Sequence, residues 1–91
     1  MKVLICCKEK NSSCDLLNHK VKQAFQEEEI TIDELDLVSV EEGTICGNQY
    51  DIVFVDEDET VKFDEGMGID LVGVKPPYSI TELRKALAER Y

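Results

Sequence analysis

The start of the chain changes from a short apolar run to a helical stripe. Lys2 to Cys7 form an apolar run typical of a strand that is buried on both faces. Ser12 or Ser13 is suited to cap a following helix, and Asp15 lies in its first turn, where the helix dipole favours an anion. Apolar side chains then recur at helical spacing, at Leu17, Val21, Ala24 and Phe25. The pattern predicts a strand followed by a helix that packs one face on a sheet.

The middle of the chain contains two further strand patterns. Residues 30–38 alternate between apolar and polar positions, which is typical of an exposed edge strand. Residues 41–48 include two glycines and show no clear period, so they predict a loop or at most one helical turn. Residues 51–55 form an apolar run that predicts a buried third strand, and four consecutive acidic residues follow it at 56–59.

The last third of the chain predicts one more strand and one more helix. Residues 57–68 are the least regular, with Val61 and Phe63 as apolar anchors and a turn predicted at 66–68. Residues 69–74 resume a strand pattern, and two prolines at 76 and 77 end it. Residues 79–82 fit a capping box, which Tyr78 and Leu83 would extend as a hydrophobic staple. The final helix has one apolar face, formed by Ile80, Leu83, Ala86 and Leu87.

Alternating strands and helices predict the α/β class. We expect residues 1–91 to form a single domain with a small, flavodoxin-like sheet of about four mainly parallel strands in the order 2-1-3-4 and two main helices. The connection between strands three and four is short for a helical crossover. The alternative is therefore a mixed sheet, with a hairpin between these two strands.

Charge and cysteine content restrict the classes of function. The chain has 20 acidic and 10 basic side chains, and its formal net charge of −10 disfavours nucleic acids and anionic membranes as partners. No apolar stretch approaches the ~20 residues that cross a bilayer, and no secretory signal is recognisable, so we expect a cytoplasmic protein. Cys6 and Cys7 are neighbours on a strand and point to opposite faces. We expect all four cysteines to be reduced thiols.

Asp56 is the first candidate functional residue, because chemistry in open parallel sheets collects beyond the carboxyl ends of the strands. The runs 1–5, 50–56 and 74–83 resemble strands one, three and five and the last helix of response-regulator receiver domains. The resemblance implies that Asp56 is the phosphate-accepting carboxylate and that Lys75 contacts the phosphoryl oxygens. Cys7 and Lys8 stand where the family has its metal-binding acids. A truncated receiver-like signalling or interaction module, without efficient catalysis, is therefore the main functional hypothesis.

A second resemblance centres on the segment 7–13, Cys-Lys-Glu-Lys-Asn-Ser-Ser. It is similar to the loop of the lactose/cellobiose-type B component of the sugar phosphotransferase system. That resemblance implies that Cys7 is a phosphate-carrying thiol. A thiol at a helix N-terminus, with Lys8 and Lys10 nearby, would have its thiolate favoured, and Ser12 and Ser13 could donate to phosphate oxygens. A plain core cysteine is the structural alternative.

A third hypothesis is a divalent-cation site. Clustered carboxylates can supply the oxygen ligands that calcium or magnesium needs, and the candidate ligands are Asp56, Asp58, Glu59, Asp64 and Glu65. The spacing is not that of an EF-hand loop, and a solvated acidic loop is the alternative. No zinc-ligand spacing joins Cys7, Cys14 and His19. A divalent cation is thus the one cofactor that the sequence suggests. We also expect a protein partner, and a chain that is a monomer or a weak homodimer.

Overall fold

The computed structural model describes residues 1–7, 12–63, 70–75 and 78–90. Strands and helices alternate along most of this chain. In order they are β1 (Lys2–Cys7), α1 (Ser12–Glu27), β2 (Glu34–Ser39), α2 (Val40–Cys46), a 3₁₀ helix (Gly47–Gln49), β3 (Ile52–Asp56), a second 3₁₀ helix (Glu57–Lys62), β4 (Leu71–Val74) and α3 (Ile80–Arg90). No helix in these ranges combines the length and the hydropathy needed to cross a membrane.

The four strands form one parallel sheet in the order β2-β1-β3-β4. The predicted fold class, sheet order and edge position of the second strand are confirmed. The alternative of a mixed sheet with a hairpin is wrong, because β3 and β4 pair in parallel. The carboxyl ends of all four strands therefore lie at one edge of the sheet, which is where the two phosphoryl-transfer hypotheses place their nucleophiles.

The side chains of β1 alternate between two apolar layers, as expected for a central parallel strand. Val3, Ile5 and Cys7 face the larger layer, which α1 and α3 complete, whereas Leu4 and Cys6 face a smaller layer beneath α2. In the larger layer the rings of Phe25 and Phe54 pack edge to face, with their centroids 6.2 Å apart. The sheet is thus covered by two long helices on one face and by shorter segments on the other.

The segment after β2, predicted as a loop or at most one helical turn, is a helix of nearly two turns. The Ser39 hydroxyl caps it by accepting a hydrogen bond from the backbone N–H of Glu42 at 3.2 Å. Gly43 is buried against β1, and a methyl group added at its Cα would lie 2.2 Å from the Cys6 sulphur. This glycine therefore allows the helix to approach the sheet closely, whereas the sequence pattern treats glycine as a breaker of helices.

Two further expectations need correction. Val61 was expected to anchor the segment after β3, but its side chain is 85% exposed, and only Phe63 is buried there. The edge strand was expected over residues 30–38, but it begins at Glu34, because the preceding residues close the end of α1. There the N–H of Ile30 donates to the carbonyl of Phe25 at 2.9 Å, and Glu29 adopts a φ of 58°. This hydrogen bond and the left-handed conformation of Glu29 are typical of a Schellman motif at the end of α1.

Candidate functional site

Cys7 and Asp56 lie side by side at the carboxyl edge of the sheet. In the parallel pairing of β1 with β3, Cys6 lies opposite Val55. The next residue of each strand is Cys7 and Asp56, so these two residues are also neighbours. Asp56 pairs in turn with Val74 at the end of β4. Because side chains alternate along strands, both Cys7 and Asp56 point to the layer that α1 and α3 cover. The candidate residues of the two phosphoryl hypotheses therefore occupy neighbouring positions on one face.

Cys7 is joined by a disulfide bond to Cys14. Cys7 ends β1, Cys14 lies in the first turn of α1, and their Cα atoms are 5.8 Å apart. The expectation that all four cysteines are reduced is therefore wrong for this pair. Because α1 begins only five residues after β1 ends, the end of the strand lies close to the first helical turn. The seven-residue spacing of the two cysteines was therefore a sequence signal for this pair.

The other two cysteines are free and belong to the opposite side of the sheet. Cys6 is 1% exposed, and burial, with a smaller contribution from the nearby Cys46 thiol, raises its pKa to about 12. A buried thiol with such a pKa holds almost no thiolate near neutral pH and is a poor nucleophile. Cys6 is therefore a core residue, which leaves Cys7 as the candidate nucleophile in β1.

Asp56 accepts a hydrogen bond from the side chain of Tyr78. The Tyr78 hydroxyl is 3.3 Å from Oδ1 of Asp56, and the ring is 5% exposed among the apolar residues of the larger layer. Burial, followed by the charge of Asp56 and its hydrogen bond, raises the pKa of Tyr78. The phenol therefore remains neutral near physiological pH and donates its proton to the carboxylate. A carboxylate oxygen that is occupied in this way is less available as a nucleophile.

Lys75 follows the end of β4 and is exposed, as expected for a residue at this edge. Within the described part of the chain it makes no ion pair with Asp56, so the structure brings the two receiver-like residues to one edge without pairing their charges. Beside Lys75, a pocket of about 60 Å³ lies between β4 and α3, next to Tyr78. This volume is well below the ~300–1,000 Å³ of typical small-molecule pockets.

The acidic segment after β3 does not form a cation site within the described residues. Glu57 and Asp58 are exposed, whereas Glu59 is buried and lies 2.7 Å from Nζ of Lys62. In residues 1–7, 12–63, 70–75 and 78–90, no three acidic, histidine or cysteine side chains are grouped so that they could hold a metal ion. Asp56, Asp58 and Glu59 are thus not brought together as ligands, and Asp64 and Glu65 lie outside the described residues.

The residues predicted to bind phosphate around Cys7 are only partly covered by the structure. Lys8 and Lys10 lie outside the described residues, as do the side chains of Ser12 and Ser13. The backbone of α1 begins at Ser12, so the two serines that were predicted as helix caps lie in its first turn instead. Its first turn presents backbone N–H groups that have no partner within the helix, and such groups favour an anion.

Comparisons with known proteins give a structural relative. No protein-family model and no curated protein matches the sequence. The structure is similar to the lactose-specific IIB component domain of the phosphoenolpyruvate:carbohydrate phosphotransferase system from Streptococcus pneumoniae, with a TM-score of 0.66 and 16% sequence identity. The similarity covers 100% of this chain and 97% of that one. At this identity the two proteins share a fold, and the agreement extends over the whole described architecture.

Proposed function

We propose that this chain is a phosphocarrier domain of the phosphotransferase B-component type, with Cys7 as the residue that accepts and transfers the phosphoryl group. The observation that supports the proposal most directly is the position of Cys7, the last residue of β1, five residues before the start of α1 at Ser12. The structural similarity to a lactose-specific IIB domain, which covers 100% of this chain and 97% of that one, supports the proposal at the level of the fold.

The proposed chemistry is a pair of in-line displacements at phosphorus. In the reduced chain, the Cys7 thiolate attacks the donor phosphoryl group, so that the S–P bond forms and the bond from phosphorus to the donor breaks. Onward transfer reverses the roles, since an acceptor attacks the phosphorus and Cys7 leaves as thiolate. The backbone N–H groups at the start of α1 would stabilise the negative oxygens during both steps.

The charges around Cys7 favour transfer of a phosphoryl group to an acceptor over its retention on the sulphur. Asp56 lies beside Cys7, and the whole chain has a formal net charge of −10. A phosphoryl group attached there experiences repulsion from the neighbouring carboxylate, which raises the free energy of the phosphorylated state and favours its departure.

The experiment is phosphorylation of the reduced chain by phosphoramidate and, separately, by the phosphorylated IIA component of a phosphotransferase system, followed by intact mass. We expect one phosphoryl adduct on the wild-type chain, none on Cys7→Ser, and an unchanged adduct on the matched control Cys46→Ser. An adduct that survives in Cys7→Ser and disappears in Asp56→Asn would instead support the receiver-like hypothesis. No adduct under reducing conditions would overturn both.

A further inference from the structure

We propose that Cys7 and Cys14 are a reversible dithiol–disulfide pair that controls the access of electrophiles, including the phosphoryl donor, to the Cys7 sulphur. This inference rests on the proposed function in naming phosphate as the electrophile of interest. The structural observation is the bond itself, which joins the end of β1 to the first turn of α1. Oxidation and phosphorylation would therefore compete for one atom.

The disulfide blocks phosphoryl transfer for two physical reasons. A sulphur atom within an S–S bond is not a thiolate, and only the thiolate attacks phosphorus or carbon electrophiles. The Cys14 sulphur also occupies the space next to Cys7 Sγ, on the side of α1, where the N-terminal amides of the helix would receive the phosphoryl group. The oxidised chain is thus inactive at this site while its sheet remains in place.

The arrangement of the four cysteines makes this oxidation selective. Cys7 and Cys14 are each 6% exposed and face the same apolar layer, so their sulphurs can meet without a change in the fold. Cys6 points to the opposite face of β1, and its pKa of about 12 keeps it protonated. Cys46 lies on that same opposite side. On the face of the sheet where Cys7 lies, a mild oxidant can therefore form one disulfide bond, between Cys7 and Cys14.

The switching reaction is a two-step thiol–disulfide exchange with a small-molecule or protein disulfide as oxidant. The thiolate of Cys7 attacks one sulphur of the oxidant, so that its S–S bond breaks and one thiol of the oxidant is released. The thiolate of Cys14 then attacks Cys7 Sγ, which forms the Cys7–Cys14 bond and releases the second thiol. The two protons lost by the cysteines appear on the two released thiols, and the two electrons reduce the oxidant. Excess dithiol reverses both steps.

The experiment uses the full chain in its reduced and oxidised states. The fully reduced chain is treated with oxidised lipoate, a cyclic disulfide that recloses on itself when a protein cysteine has no partner. Free thiols are alkylated under unfolding conditions, and peptide mapping locates the modified cysteines. We expect lipoate to protect Cys7 and Cys14 while Cys6 and Cys46 remain alkylated, and we expect dithiothreitol to restore both thiols. Phosphorylation of the two states is then compared by intact mass.

The matched variants are Cys14→Ser and Cys46→Ser. We expect the wild-type chain and Cys46→Ser to lose the phosphoryl adduct after lipoate treatment, whereas Cys14→Ser keeps it, because Cys7 then has no partner. An adduct of equal yield on the oxidised and reduced wild-type chains would overturn the inference. A lipoate treatment that leaves Cys7 free in the folded chain would also overturn it.

Failure of the proposed function gives a different result. If the reduced chain takes no phosphate on Cys7, the phosphocarrier proposal fails, and the redox pair is judged by native-state alkylation of Cys7 with iodoacetamide. Protection of Cys7 that depends on oxidation and on Cys14 would still support the pair as a thiol switch. Equal alkylation rates of Cys7 in the reduced and lipoate-treated chains would overturn it.

Discussion

Tyr78, two residues before α3, donates a hydrogen bond of 3.3 Å to Asp56 at the end of β3. Tyr78 has a φ of 59°, a conformation that is uncommon for an aromatic residue, and its N–H donates to the carbonyl of Lys75 at 2.9 Å. This backbone conformation costs on the order of 1–3 kcal/mol of folding free energy, and burial of the Tyr78 ring in the larger apolar layer offsets that cost. Asp56 is thus held by a residue whose own conformation the core imposes.

Removal of the Tyr78 hydroxyl should have a small effect. We expect Tyr78→Phe to lower the free energy of unfolding by about 0.5–1.5 kcal/mol, because the ring stays buried and Asp56 is exposed enough for water to replace the lost donor. Tyr78→Ala, which also removes the ring, should cost roughly 3 kcal/mol or more. Urea unfolding measures both values. Equal losses for the two variants would show that the hydroxyl, and not the ring, holds this edge.

The stability of the fold should decrease in alkali. The Tyr50 hydroxyl lies 2.6 Å from Oδ2 of Asp36, and this hydrogen bond, followed by burial and the Asp36 charge, raises the pKa of Tyr50. Above a pH of about 10, the unfolded chain loses the tyrosine proton while the folded chain retains it, so unfolding becomes more favourable as the pH rises. The raised pKa values of Tyr78 and Cys6 act in the same direction.

The comparison that tests this pH dependence is urea unfolding of the wild-type chain and Tyr50→Phe, each at neutral pH and at a pH of about 10.5 under reducing conditions. We expect Tyr50→Phe to be less stable than wild type at neutral pH, because the hydrogen bond is lost, and to lose less further stability in alkali. Parallel pH profiles for the two chains would contradict the assignment.

Glu29 should be replaceable by glycine with a gain in stability. It follows the end of α1 with a φ of 58°, in the left-handed region that glycine adopts without a steric penalty. We expect Glu29→Gly to raise the free energy of unfolding by about 1 kcal/mol. Glu29→Gln separates the loss of charge from the backbone effect and should give a smaller gain. Lys22→Gly, within the same helix on an exposed face, should instead cost about 1 kcal/mol.

Gly43 should not tolerate a side chain while Cys6 is present. A Cβ at this position would lie 2.2 Å from the Cys6 sulphur and 3.3 Å from the ring of Phe63. We expect Gly43→Ala to cost about 1–3 kcal/mol, and we expect Cys6→Ala to recover part of that loss in the double variant. Gly73→Ala is the control, since its Cβ would come no closer than 3.2 Å to another atom, the Thr60 methyl carbon. Additive losses at positions 43 and 6 would contradict the close contact.

The charge of Asp56 should limit the amount of phosphate on Cys7. Asp56→Asn preserves an acceptor for the Tyr78 hydroxyl but removes the negative charge beside the sulphur. We expect the phosphoryl adduct of the reduced variant to be about threefold to tenfold more abundant and slower to hydrolyse, as repulsion of this order follows from a charge within a few ångströms. Intact mass over time measures both quantities. Asp58→Asn, an exposed acid in the same segment, should leave the yield unchanged.

Local patterns were sufficient to predict the sheet and its order. Each of these patterns depends only on neighbours along the chain: the apolar runs at the start of the chain and at 51–55, the alternation before Ser39, and the helical faces of α1 and α3. Such patterns also placed Cys7, Asp56 and Lys75 at one edge, because the carboxyl ends of parallel strands coincide. The hydrophobic pattern of residues 41–48 and 57–63 did not show whether these segments pack on the sheet. The helix α2 and the exposure of Val61 were therefore not predicted.

The state of the site depends on contacts between residues that belong to different strands and helices. Spacing places Cys7 and Cys14 near a strand end and a helix start, but only the packing of α1 on the sheet brings their sulphurs together. The bond from Tyr78 to Asp56 likewise requires the larger apolar layer to hold the ring beneath the sheet edge. Hydrophobic periodicity is a local property and was visible in the sequence, whereas the partners of Cys7 and Asp56 are set by three-dimensional packing.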